Sequence, residues 1–264
     1  IPAGTTYVDG SVTGGAVYDA ASKTIRWTGA SLAIGAEHTV SFQVRVNDDT
    51  AVGTVITNDA VFRDVRFAIE VTKSATTTVV PQPVISPAMA ADAYIDMWRP
   101  TTNFGADGRL MVRAANVQSP IAMFDLSALP AGATVKKAEL KFYALSRTNV
   151  GPTTVGIFQM LRPWTESQVT WQRADAATMW ETPGASGASD RTATPAATQQ
   201  LTGIGTWYTF DITSIAQNWA NGDANNGVQM TYVDGDVMVA YTFASSNYLY
   251  TPLRPVLTIQ FVNP

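Results

Sequence analysis

The chain has 264 residues, 46% of them hydrophobic and only 14% charged, where an average soluble domain carries about 25% charge. Its surface is therefore dressed with Thr, Ser, Asn and Gln, a composition that suits pleated sheets. A formal net charge of −4 offers no basic stripe for nucleic acid, and the absence of cysteine excludes disulfide staples and thiol chemistry. Residues 1–80 then read as short strands separated by Gly and Asp turns, with candidates at 24–28, 40–46, 55–58 and 65–71. In the second of these Val40, Phe42, Val44 and Val46 alternate with Ser41, Gln43 and Arg45, the period of a half-buried strand.

Three prolines, Pro81, Pro83 and Pro87, stiffen the next stretch, and residues 81–90 read as a linker between two modules. From 91 to 264 the pattern is an antiparallel sandwich. At 137–143 Ala138, Leu140 and Phe142 alternate with Lys137, Glu139 and Lys141, one dry face and one wet. Further strands are expected at 121–126, 155–161, 228–233, 237–243 and 256–262. The longest apolar runs are strand-sized, far short of the roughly 20 residues of a membrane-spanning helix. The Gly-, Ala-, Ser- and Thr-rich stretch 182–206 has no period and reads as a long loop. One helix is predicted, because Ile212, Ile215, Ala216 and Trp219 share a face, with Asp211 or Thr213 to cap its start and Gly222 after its end. The fold class is thus all-β, a small Ig-like sandwich followed by a larger jelly-roll-like sandwich with one short helix.

A series of motifs gives the second module a resemblance. Asp92-Ala-Tyr-Ile-Asp96 is followed by Thr102-Asn-Phe-Gly105 and by Asp107-Gly-Arg-Leu-Met-Val-Arg113. Next come the stretch 124–135, Trp164-Thr-Glu-Ser-Gln-Val-Thr-Trp171, Trp207-Tyr-Thr-Phe-Asp-Ile-Thr213, Asn226-Gly227 and Arg254-Pro-Val-Leu257. In this order they resemble the disaggregatase-related (DNRLRE) family of extracellular sandwiches, some of which are carbohydrate-binding modules. The chain departs from that pattern at Trp98-Arg99 and at Tyr248-Leu-Tyr-Thr-Pro252. The first module is similar to the Ig-like repeat of bacterial surface proteins, through Ile1-Pro-Ala-Gly4, Ile25-Arg-Trp27, Leu32-Ala-Ile-Gly35 and Thr57-Asn58. That resemblance implies a chain that begins part-way through the repeat, with its leader or first strands absent. An open edge would then await a strand from another copy, with 65–80 as the donor. A trimmed chain and a diverged domain complete in itself are the alternatives.

No catalytic residue is assigned. His38, the single histidine, lies in a turn without an oriented nucleophile, and the carboxylate pairs Asp48–Asp49 and Asp234 with Asp236 sit where turns are expected. Trp98, Arg99, Tyr248 and Tyr250 are the candidate ligand-binding residues, aromatic and planar polar groups that suit sugar rings. Trp164, Trp171 and Trp219 are assigned to the core. Asp92, Asp96, Asp107 and Asp211 are candidates for a structural calcium, set against turn and cap hydrogen bonding. Lys23 or Lys73 with Asn58 are candidates for the isopeptide crosslink of surface Ig-like domains. The expected function is a non-catalytic extracellular structural or adhesive protein, a filament subunit joined to its own copies by strand complementation. The alternative is a polysaccharide-binding accessory module of a secreted enzyme or adhesin, and a prokaryotic cell surface is the expected setting for either.

Overall fold

The computed structural model describes the chain except residues 30, 31, 34 and 65, and its contacts divide into Ile1–Pro81 and Gln82–Pro264. In the first unit the strands are β1 (Thr5–Tyr7), β2 (Val17–Asp19), β3 (Thr24–Arg26), β4 (Val44–Val46), β5 (Val55–Asp64) and β6 (Ile69–Thr78). They pair two by two, β1 with β4, β2 with β3 and β5 with β6, all antiparallel. Val40, Phe42 and Val44 are half-buried and their neighbours exposed, as the alternation requires, although only Val44–Val46 enters a ladder. Three-residue strands present almost no inward face, and Ile56 is the one buried hydrophobic side chain among the described residues of this unit.

The strand expected at 65–71 begins at Ile69 instead, because residues 66–68 turn the hairpin, with Ala68 at φ +51°. Val65 and Ile34, which belong to the donor segment and to the 32–35 motif, lie outside the described residues. Within the donor segment Ile69–Thr78 is paired along its length with β5 of the same chain, from Asp64↔Ile69 to Val55↔Thr78. The segment is therefore a hairpin arm with one edge already satisfied.

The second unit holds β7 (Val84–Ile85), β8 (Met89–Asp96), β9 (Arg109–Arg113), β10 (Gln118–Phe124), β11 (Thr134–Arg147), β12 (Thr153–Gln159), β13 (Ala197–Leu201) and β14 (Thr206–Asp211). After these come α1 (Thr213–Ala220), β15 (Val228–Gly235), β16 (Ala240–Ala244) and β17 (Val256–Val262). The strands join in one curled antiparallel sheet, in the order β13-β12-β15-β10-β9-β16-β11-β17-β7, with β14 on β11 and β8 on β10. The curl wraps a jelly-roll-like core of Leu140, Phe142, Phe210, Tyr241 and Phe243. β11 carries the expected alternation, Ala138, Leu140, Phe142 and Ala144 buried between partly or fully exposed neighbours. Two stretches differ from expectation. Residues 84–85, inside the proline-rich stretch, pair with β17, and Pro83 O accepts from Phe261 N. Within 182–206, β13 forms an edge strand on β12; of its inward-facing Ala197, Gln199 and Leu201 only two are apolar, too few to raise a period above the polar background.

The predicted helix forms, with Ile212 at its N-cap position and Asp211 one residue before it. Asp211 Oδ1 accepts from the backbone N (2.9 Å) and hydroxyl (2.6 Å) of Thr213, and Gly222 follows the end at φ +110°. Its apolar face is buried, and Gln217 ties it to the start of β11 by accepting from Val135 N and donating to Ala133 O.

A second cluster lies on the outer side of the sheet, where Ala91, Ala93 and Ile95 of β8 and Ile121 of β10 are covered by Trp164, Val169 and Trp180. The segment 161–190 that supplies this cover is organised by one buried carboxylate. Asp190 accepts from Arg162 Nε (2.6 Å), Glu181 N (3.0 Å), Thr182 N (3.1 Å) and Gly187 N (3.0 Å). Trp171 packs against the same cluster, over Gly184, where a Cβ would lie 2.6 Å from the indole.

Candidate functional site

β8 is buried on both faces. Its alternate residues Asp92, Tyr94 and Asp96 point away from the second cluster and anchor the loops that form the surface of interest. Asp96, fully buried, is the strongest anchor. Its Oδ1 accepts from Trp98 N (2.9 Å), and its Oδ2 accepts from Arg99 Nε (3.0 Å), Arg99 Nη2 (2.7 Å) and Gln118 Nε2 (3.0 Å). The turn after β8 is thereby fixed from beneath, and the hydrogen bonds to Asp96 hold the Arg99 guanidinium above its usual pKa.

That turn presents Trp98 outward. Its side chain is 59% exposed, and the Arg113 guanidinium lies 4.6 Å from the ring centroid. Arg99 stacks in the same manner 4.3 Å from Phe104, which in turn stacks on Tyr94 at 4.4 Å and 18°. Burial raises the Tyr94 phenol, with the Asp107 charge adding to it. The result is two cation–aromatic pairs, Arg113 on Trp98 and Arg99 on Phe104, joined through the turn that carries Trp98 and Arg99.

β9 runs between two groups of candidate residues. Trp98 meets its Arg113 end. The segment after β16 meets the other end, since Ser245 N donates to Gly108 O and Ser245 Oγ donates to Asp107 O. Tyr248 and Tyr250 lie on that segment, Tyr248 half-buried with its carbonyl accepting from Arg254 Nε, Tyr250 62% exposed. The length of β9, about 13 Å for four residues of strand at ~3.3 Å each, lies between the two ends. Trp98 and Arg99 come together; Tyr248 and Tyr250 are a separate pair at the far end of the same strip. Arg113 and Phe104 complete the surface, with buried Tyr94 supporting Phe104 from beneath, and all three were absent from the sequence candidates. The alternation Arg109, Met111, Arg113 against buried Leu110 and Val112 carries a signal for Arg113, because it sets both arginines on the outer face.

The four calcium candidates are dispersed. Asp92 accepts from Ser246 N and Ser246 Oγ, both at 2.7 Å, Asp96 holds Arg99, Asp107 pairs with Arg109 at 3.1 Å, and Asp211 accepts from Thr213 N ahead of α1. Among the described residues no three His, Cys, Asp or Glu side chains gather as a metal-binding group. Burial raises the Asp92 carboxyl despite the bonds from Ser246, and Glu166 adds to the shift; Glu166 also accepts from Asp92 N at 2.9 Å. For the isopeptide candidates, Lys23 sits in an exposed turn at φ +50°, while Asn58 and Lys73 lie on exposed positions of β5 and β6. Amide formation needs a desolvated lysine beside a buried acid. Solvent at all three positions removes that condition.

His38 is exposed, stacked on Trp27 at 4.2 Å, with Nε2 2.8 Å from Gly14 O. Asp48 faces Arg45 in solvent, and Asp236 accepts from Met238 N within its turn. Trp164 and Trp219 are buried, and Trp171 is partly so. Among the described residues no helix is long and apolar enough to cross a membrane.

The sequence profile of carbohydrate-binding module family 96 matches residues 84–261, the stretch that holds the motif series and the whole cation–aromatic strip. No curated protein matches the chain.

Proposed function

Because the chain belongs to carbohydrate-binding module family 96 through residues 84–261, we propose that Gln82–Pro264 binds polysaccharide without cleaving it, along the strip from Trp98 to Tyr250. The observation that carries this reading is Trp98, an indole left 59% open to solvent while Arg113 stacks against it. An exposed aromatic face stacks on the C–H side of a sugar ring, and the planar guanidinium donates to its oxygens. Tyr250 at the other end of β9 offers a second aromatic contact to the same chain of sugars. The natural setting of such a module is a secreted or cell-surface protein that holds its partner domains against a polysaccharide. This reading displaces the filament subunit, since the family match favours binding and β6 already has a partner strand in its own chain.

The test is affinity electrophoresis and pull-down against a panel of neutral and acidic polysaccharides. The wild-type chain is expected to be retarded by at least one of them, and Trp98→Ala to weaken that binding about tenfold, one stacking contact of ~1.4 kcal/mol. Unchanged binding by the variant would remove the strip as the site.

A further inference from the structure

A cavity of about 350 Å³ opens on another part of the second unit, between the end of β12, residues 192–196 and the first turns of α1. Its volume lies at the small end of the ~300–1,000 Å³ range of small-molecule sites. None of its lining side chains is charged and none is aromatic. Polar groups converge in it. Gln159, 3% exposed, accepts through Oε1 from Asn218 Nδ2 at 2.8 Å, but its own Nε2 reaches only Asp223 Oδ2 at 3.4 Å. That is longer than the ~2.9–3.0 Å of an ordinary N–H···O bond. One N–H of this buried amide is thus left over. Asn218 and Ser214, exposed on α1, and Thr194 opposite add a carbonyl and two hydroxyls around the same space. The wall is held in place: Gln159 N donates to Thr192 Oγ1, and Thr192 Oγ1 donates to Thr194 O. Pro195 and Ile215 supply an apolar patch.

We propose that this cavity is a second ligand site, one that takes a single uncharged pyranose unit, a chain end or a branch. Closely spaced donors and acceptors match vicinal hydroxyls, each of which can donate and accept. An uncharged lining gives nothing to pair with a carboxylate or sulfate and would leave it desolvated. The absence of a ring platform and the small volume suit one sugar held by hydrogen bonds rather than a strand of polymer. The site is independent of the Trp98 strip and stands or falls separately from it.

The experiment is a nitrogen-15 NMR titration of the full chain with the methyl glycosides of glucose, galactose and mannose, following the side-chain amide signals of Gln159 and Asn218. With at least one glycoside the signals should shift saturably, and equally so in Trp98→Ala. Ala196→Phe, a bulkier side chain at a lining position of the cavity, should abolish the saturable shift of the Gln159 signals. Asn218→Ala should weaken binding about tenfold. The proposal is overturned if no glycoside moves these signals saturably, or if the response survives in Ala196→Phe. Loss of the response in Trp98→Ala would also overturn it as a separate site.

Discussion

Replacing Asp190 by Asn tests whether one carboxylate holds the cover over β8. Burial alone would raise Asp190, but the three backbone N–H groups and Arg162 outweigh it and keep the carboxyl below its usual pKa. The four donors divide evenly, Arg162 Nε and Glu181 N on Oδ1, Thr182 N and Gly187 N on Oδ2. Asn keeps one acceptor oxygen and turns an NH2 toward the other pair, so two backbone donors, or one and a guanidinium, lose their partner. At ~1–3 kcal/mol for each buried group left unsatisfied, and with Arg162 only 24% exposed and deprived of its counter-charge, the loss is about 3–5 kcal/mol. Urea unfolding followed by tryptophan fluorescence reads it, since six of the seven tryptophans lie beyond residue 81. The sign with pH is set by a depressed native pKa. The contribution is complete above the unfolded value, about 3.9, and disappears as pH falls through the native one. Wild type and variant should therefore converge in acid. A loss below ~1 kcal/mol at pH 7, or a gap that persists undiminished in acid, would refute the assignment of Asp190 as the organising group.

Asp92→Asn should behave in the opposite sense. Its native pKa is raised, so wild-type stability falls as pH climbs from the unfolded value, about 3.9, toward the native one, and the variant should gain on wild type over that rise in chemical denaturation. Arg113→Ala should leave stability within about 1 kcal/mol, the size of an exposed cation–π contact, while weakening polysaccharide retardation in the same direction as Trp98→Ala. Gly227→Ala should cost well over ~1 kcal/mol in the same urea assay, because Gly227 stands at φ +77° and a Cβ there would lie 2.1 Å from Ala122 O.

Elements whose two sides differ in solvent were legible in the chain. β11, with Lys137, Glu139 and Lys141 outward, and α1, with its single apolar face, both follow from periodicity. β8 is harder to interpret. It is buried on both faces, and Asp92 and Asp96 look like turn or metal residues until donors from other parts of the chain, Ser246 for Asp92 and Gln118 for Asp96, are seen. Asp190 is harder still, since its role depends on backbone N–H groups, which every residue but proline possesses and no sequence pattern marks. The candidate ligand residues were found because Trp98-Arg99 and the 248–252 segment break a motif series. Their arrangement was not, since β9 lies between them and only its register with β16 brings the 245–250 segment to its far end.

The same register bears on how tightly the strip could hold a ligand. An exposed aromatic residue usually loses rotamer and backbone freedom on binding, a cost of roughly 0.5–1.5 kcal/mol per side chain. Here the backbone of Trp98 is bonded to buried Asp96, its ring rests against Arg113, and Arg99 is clamped between Asp96 and Phe104. Asn103 fastens the same loop to the 161–190 segment by donating to Glu166 O and Val169 O. The loop is therefore ordered before any sugar arrives, by the same segment that Asp190 organises. Stability of that cover and affinity at Trp98 are then coupled, and Asp190→Asn, which touches no residue of the strip, should lower polysaccharide affinity along with stability.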